Sequence, residues 1–173
     1  MTAVGMSLLI GADAPPGFLM VIVSLCVTKQ NEMEATNTSM ITIQTVVNAP
    51  VEKVWAYWTE PQHITRWNAA SDDWHTPFAE NDLRPGGKFS SRMEAKDGSF
   101  GFDFGGTYDA VEEHKYIEYT IGDGRKVEVH FSNEGIATTV VENFEAETTN
   151  SEEMQRTGWQ SILDNFKRYT ESN

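Results

Sequence analysis

Cysteine is almost absent: Cys26 is the one thiol in 173 residues. A single thiol excludes an intramolecular disulfide and any multi-cysteine zinc site, and it fits a reducing, cytoplasmic setting. Basic residues are scarce, thirteen Lys and Arg against twenty-six Asp and Glu, for a formal charge of −13. A chain so charged repels phosphate backbones and anionic membrane surfaces, which argues against nucleic acid as a partner. Only four histidines occur, at positions 63, 75, 114 and 130, and none belongs to an H-E-x-x-H or comparable cluster. Asp73 and His75 can meet on one strand face, but with no third ligand nearby no metal is expected. No G-x-S-x-G elbow occurs and Cys26 precedes the patterned region, so no catalytic residue is assigned. Gly86-Gly87 and Gly105-Gly106 lead into no helix N-terminus that would cradle a phosphate; they read as turn and bulge glycines, and no cofactor is expected.

Long apolar runs are missing as well. The stretch FLMVIVSLCV at 18–27 has half of the roughly 20 residues that a membrane-spanning helix needs. Its flanks do not suit a secretory signal, since residues 1–17 contain no Lys or Arg and carry Asp13, and Leu25 precedes Cys26 where a lipoprotein box wants a small residue. Residues 1–39 read as an extension outside the domain, disordered or produced by a start upstream of Met33 or Met40. The alternative is export or anchoring through residues 18–27.

From Ile41 the pattern becomes regular. Ile41, Ile43, Thr45 and Val47 alternate with Thr42, Gln44 and Val46, the period of a strand. Asn48-Ala-Pro50 reads as a helix start, with Asn48 as N-cap and Pro50 in the first turn. Val51, Val54, Trp55 and Trp58 follow at helical spacing, and Pro61 opens a second short helix through Trp67. Between Trp74 and Phe144 strands are punctuated by turns at Pro85-Gly-Gly87, Asp97-Gly98, His114-Lys115, Gly122-Asp-Gly124 and Asn133-Glu-Gly135. Alternation turns Phe89, Ser91 and Met93 inward, then Ile117, Tyr119 and Ile121, then Val127, Val129 and Phe131, then Val140, Glu142 and Phe144. The strand around Phe100, Phe102 and Phe104 keeps an open register, and its Gly105-Gly106 suggests a bulge or a close backbone approach. A long final helix is expected, with Asn150 or Ser151 as N-cap, Glu152 and Glu153 in its first turn, and Lys167 and Arg168 in its last. Its apolar stripe is Trp159, Ile162, Leu163, Phe166 and Tyr169, which needs the concave face of a sheet to cover it. A strand, two short helices, about six strands and a long helix make an α+β domain over residues 40–173.

Glu142 differs in kind from its neighbours. Between Val140 and Phe144 it faces the apolar interior, where an unpaired carboxylate is costly and its pKa rises. Either Tyr119 or another buried donor satisfies it, or a ligand does.

The strings NAPVEKVWAYWTEPQHITRW, LRPGGKF, DGSFGFDFGGTY and GWQSILDNFKRY resemble the family named after the activator of heat-shock protein 90 ATPase, within the START-like superfamily. The resemblance runs from about Ile41 to Glu171 and leaves residues 1–39 unmatched. It implies a helix-grip fold, a curved antiparallel sheet of six to seven strands wrapped on the C-terminal helix with a cavity between them. It does not imply one activity, because relatives include lipid and hormone carriers and polyketide cyclases. The chaperone activator carries a separate N-terminal domain for which this sequence has no room.

Within that fold the expected function is binding of a small, mostly apolar molecule, aromatic or lipid-like. The lining is assigned to Trp55, Met93, Tyr119, Phe131, Val140, Glu142, Trp159 and Leu163, apolar walls with a few polar groups. The alternatives are a cyclase- or hydratase-like enzyme using Glu142 as base near a tyrosine, and a chaperone-interacting protein whose partner the residues do not name.

Overall fold

A computed structural model describes residues 39–173. The reading of residues 1–39 as an extension lies, Ser39 apart, outside the described residues.

Alternating residues in seven segments produce seven strands: β1 Met40–Val47, β2 Trp74–Asn81, β3 Lys88–Ala95, β4 Gly101–Glu112, β5 Tyr116–Ile121, β6 Lys126–Asn133 and β7 Thr138–Glu145. They form one curled antiparallel sheet in the order β1-β7-β6-β5-β4-β3-β2. Two short helices, α1 (Val51–Thr59) and α2 (Pro61–Trp67), follow β1, and the long α3 (Glu152–Ser172) closes the chain. The architecture is the expected α+β helix-grip arrangement.

The concave face holds the core. Ile41, Ile43, Ile117, Val127, Val129 and Phe144 point from the sheet toward Leu163 and Phe166 of α3, all of them buried. Burying such side chains is worth about 1.5–3 kcal/mol each relative to exposure. Ser151 caps α3, its hydroxyl accepting from the Met154 N–H at 3.2 Å. Both sheet edges are managed. Arg156 and Gln160 of α3 donate to the Thr42 and Gln44 carbonyls of β1 at 2.6 and 3.3 Å, and β2 carries Pro77 in an irregular stretch between His75 and Phe78.

Two local expectations change, and a third is narrowed to one of its two alternatives. Asn48 does not cap α1; the N-cap position is Pro50, and the Asn48 backbone and side-chain N–H groups both donate to Glu171 Oε1 at 2.8 Å. The side chain that looked poised for a local cap is taken by a carboxylate at the far end of the chain. Lys167 and Arg168 lie short of the last turn of α3, which runs on to Ser172. The irregularity in β4 falls between Tyr108 and Ala110, whereas Gly105-Gly106 marks the close approach. A Cβ on Gly105 would stand 2.7 Å from the Phe89 carbonyl oxygen, and one on Gly106 would press on the Thr120 carbonyl and lie 3.0 Å from Phe89 Cε1.

Candidate functional site

A cavity of about 470 Å³ lies between the concave face of the sheet, the two short helices and α3. β3 supplies Phe89, Ser91 and Met93, and β4 supplies Phe102, Phe104 and Tyr108. Pairing of Phe102 with Met93 and of Phe104 with Ser91 settles the register that the sequence left open. Gly106 shares their alternation, and its lack of a side chain lets the Phe89 ring lie against the β4 backbone. β5 adds Ile117 and Tyr119, the two short helices add Trp58, Ile64 and Trp67, and α3 closes the space with Trp159, Ile162 and Leu163.

The walls are held by aromatic contacts. Phe89 meets Tyr119 edge-on at 5.0 Å and Tyr108 at 5.2 Å; Trp159 stacks on Phe144 at 4.1 Å and meets Phe104 edge-on at 5.9 Å. Offset and edge-to-face pairs at these spacings add packing energy beyond burial and hold the rings in place.

One carboxylate stands on this surface. Glu142 pairs in the sheet with Ile43 on β1 and Val129 on β6, both buried, so its side chain enters the concave side among hydrocarbons. Tyr119 reaches across β6 and donates its hydroxyl to Glu142 Oε1 at 3.3 Å, the carboxylate's one hydrogen bond to a side chain among the described residues. Burial pushes the Glu142 carboxyl up to about 7, and the Tyr119 bond offsets only part of that. Burial, followed by the Glu142 charge, holds the Tyr119 phenol well above the ordinary tyrosine range. Near neutral pH the pair therefore shifts between a carboxyl that can donate and a carboxylate that can accept or bind a cation.

Of the eight residues assigned from sequence, Met93, Tyr119, Glu142, Trp159 and Leu163 line the cavity. Trp55, Phe131 and Val140 do not reach it. Phe131 and Val140, paired with each other on β6 and β7, share the inward face but lie farther along it, where α1 packs against the sheet and its Trp55 meets Phe131 edge-on at 5.2 Å. Strand alternation tells which face a residue takes, not how far along that face the packing stops. Phe102, Phe104 and Tyr108 were missed because the irregularity between Tyr108 and Ala110 reverses the phase of β4: even positions face the cavity before it, whereas Val111, paired with buried Ile117, follows the opposite phase after it. Arg125 also borders the cavity; its guanidinium pairs with Asp123 at 2.9 Å and donates to the Glu145 carbonyl at 3.0 Å.

Among the described residues no group of three or more His, Cys, Asp or Glu side chains is gathered as metal ligands would be, and no helix is long and apolar enough to cross a membrane.

With this geometry in hand, comparison with protein families matches residues 48–171 to the model described as Activator of Hsp90 ATPase homolog 1-like protein. The chain is similar to the AHSA1-like protein of Aeromonas hydrophila, known from a solution structure: 48% identity, covering 78% of this chain and 93% of that one, with a TM-score of 0.74. A Cytophaga hutchinsonii protein, also solved in solution, is 56% identical over 77% of this chain and 92% of that one, with a TM-score of 0.67. A crystal structure from Nitrosomonas europaea, 20% identical over 77% and 94% of the two chains, shares the fold with a TM-score of 0.68. Comparison with curated proteins returned no match.

Proposed function

The chain belongs to the Activator of Hsp90 ATPase homolog 1-like family, and from that premise we propose that it binds a small, mostly apolar molecule in the cavity between its sheet and α3. The observation that carries this reading is a single buried carboxylate, Glu142, with its Tyr119 donor, on the wall of an otherwise largely hydrocarbon cavity of about 470 Å³. That volume suits a compact small molecule. A packed core would have filled the space with side chains, and a fold selected only for stability gains nothing from a desolvated carboxylate.

Ligand recovery tests the proposal. Native mass spectrometry of the purified full chain is expected to show one small molecule held stoichiometrically and released unchanged. Titration of the recovered molecule into Glu142→Gln should give affinity weaker by about 1–3 kcal/mol, the worth of a charge-assisted hydrogen bond. Equal affinities would remove Glu142 from the site.

The same pair favours one second reading. A carboxyl near 7 beside a tyrosine is suited to general acid–base catalysis of the cyclase or hydratase kind. Conversion of the recovered molecule on prolonged incubation, lost in Glu142→Gln, would select that reading over simple carriage.

A further inference from the structure

Three observations bear on the charge of the molecule the cavity takes, and they build on the binding function proposed above. The first is an incomplete set of partners around Glu142. Its one side-chain hydrogen bond among the described residues is the 3.3 Å contact from Tyr119, and the one cationic side chain on the cavity wall, Arg125, is already engaged by Asp123 and the Glu145 carbonyl. A buried carboxylate without a cation is costly, and here the protein supplies none.

The second observation is the nature of the remaining wall. Phe89, Phe104, Tyr108, Tyr119 and Trp159 enclose the same space as the carboxylate. Aromatic faces carry the negative end of the ring quadrupole and attract cations, more strongly once water is excluded. The third is the field outside: a formal charge of −13 raises the local concentration of cations and lowers that of anions at any opening.

We propose that the ligand is an organic cation, a protonated amine or quaternary ammonium on a compact apolar or aromatic body, with its charge against Glu142 and its body among the aromatic rings. A neutral ligand leaves the carboxylate without a counter-charge or requires it to hold a proton. An anionic ligand meets a like charge at Glu142. A cation satisfies the carboxylate, the rings and the long-range field together.

Phenylpropylamine, phenylpropanol and phenylpropanoate share one body and differ in the charge of the head, so they separate this inference from the binding function beneath it. Titrated into the full chain and followed by tryptophan fluorescence or calorimetry, the amine is expected to bind on the order of tenfold more tightly than the alcohol, with the carboxylate weakest. In Glu142→Gln the ratio of amine to alcohol affinity should fall several-fold, to the part that the rings and the long-range field supply without the carboxylate; an unchanged ratio removes Glu142 as the counter-charge. At about pH 6, where Glu142 holds a proton in the empty protein, amine binding should release that proton to the buffer and alcohol binding should not, read from calorimetry in two buffers of different ionisation enthalpy. The other titratable groups on the wall are Tyr108 and Tyr119, both pushed above the ordinary tyrosine range, and Arg125, held by Asp123, so the proton comes from Glu142. Binding of the alcohol as tight as the amine overturns the cationic ligand while leaving the apolar cavity as a binding site. Failure of all three probes to bind overturns both.

Discussion

Glu142 sits between Ile43 and Val129 on the sheet, and the price of that position depends on pH. Its carboxyl titrates near 7 when folded against an ordinary value of 4.5, so the folded state holds the proton more tightly than the unfolded one. The stabilisation linked to that proton is fully present below pH 4.5, declines as pH rises, and is lost above about 7, a total of about 3 kcal/mol. Glu142→Gln is therefore expected to flatten the fall in stability between those limits and to unfold at higher temperature than wild type at pH 8. Thermal melts of both proteins across that range check it; parallel curves would mean that the carboxyl titrates normally. At the same scale Gly106 shows how a residue without a side chain positions one that has it. A Cβ there would press on the Thr120 carbonyl and stand 3.0 Å from Phe89 Cε1, so the close seat of the Phe89 ring beside Tyr119 depends on a missing side chain.

Among the elements, α3 carries closure. Leu163 and Phe166 are fully buried, and Trp159 lies flat on Phe144, so the helix is both the lid of the cavity and part of the core. Leu163→Ala should cost about 2–5 kcal/mol, the range for removing a large buried aliphatic side chain. Denaturant unfolding measures this directly, and a change of a few tenths would show that the helix is not docked on the sheet. The stripe on α3 was legible in the sequence because period 3.6 is a local property. The face of β4 was not, since the shift between Tyr108 and Ala110 reverses which alternate positions turn inward, and no single phase holds along the strand. Only the hydrogen-bonded partners on β3 and β5 decide which face Phe102 and Phe104 take.

For the molecule as a whole, the described sheet begins at Met40, and the contact from the preceding residue is one backbone bond, Ala146 N–H to the Ser39 carbonyl at 2.8 Å. A chain starting at Met40 is expected to unfold in one cooperative transition, because the seven strands, α3 and the buried core described above all lie within residues 40–173. Loss of a cooperative transition in that chain would show that residues 1–39 are needed for folding. By itself the sequence determined the α+β class, the order of elements, the inward face of most strands and the place of a carboxylate among them. Each of these follows from alternation or helical spacing within one segment, where the side chain's direction is set by its own backbone. The tertiary structure decided how far along the concave face the packing stops, which separates Trp55, Phe131 and Val140 from Met93, Tyr119 and Glu142. It also decided that Asn48 binds Glu171 rather than capping α1. Both depend on where α1 and α3 settle over the sheet, and that position comes from contacts between residues as much as 123 apart in the chain, which no local period encodes.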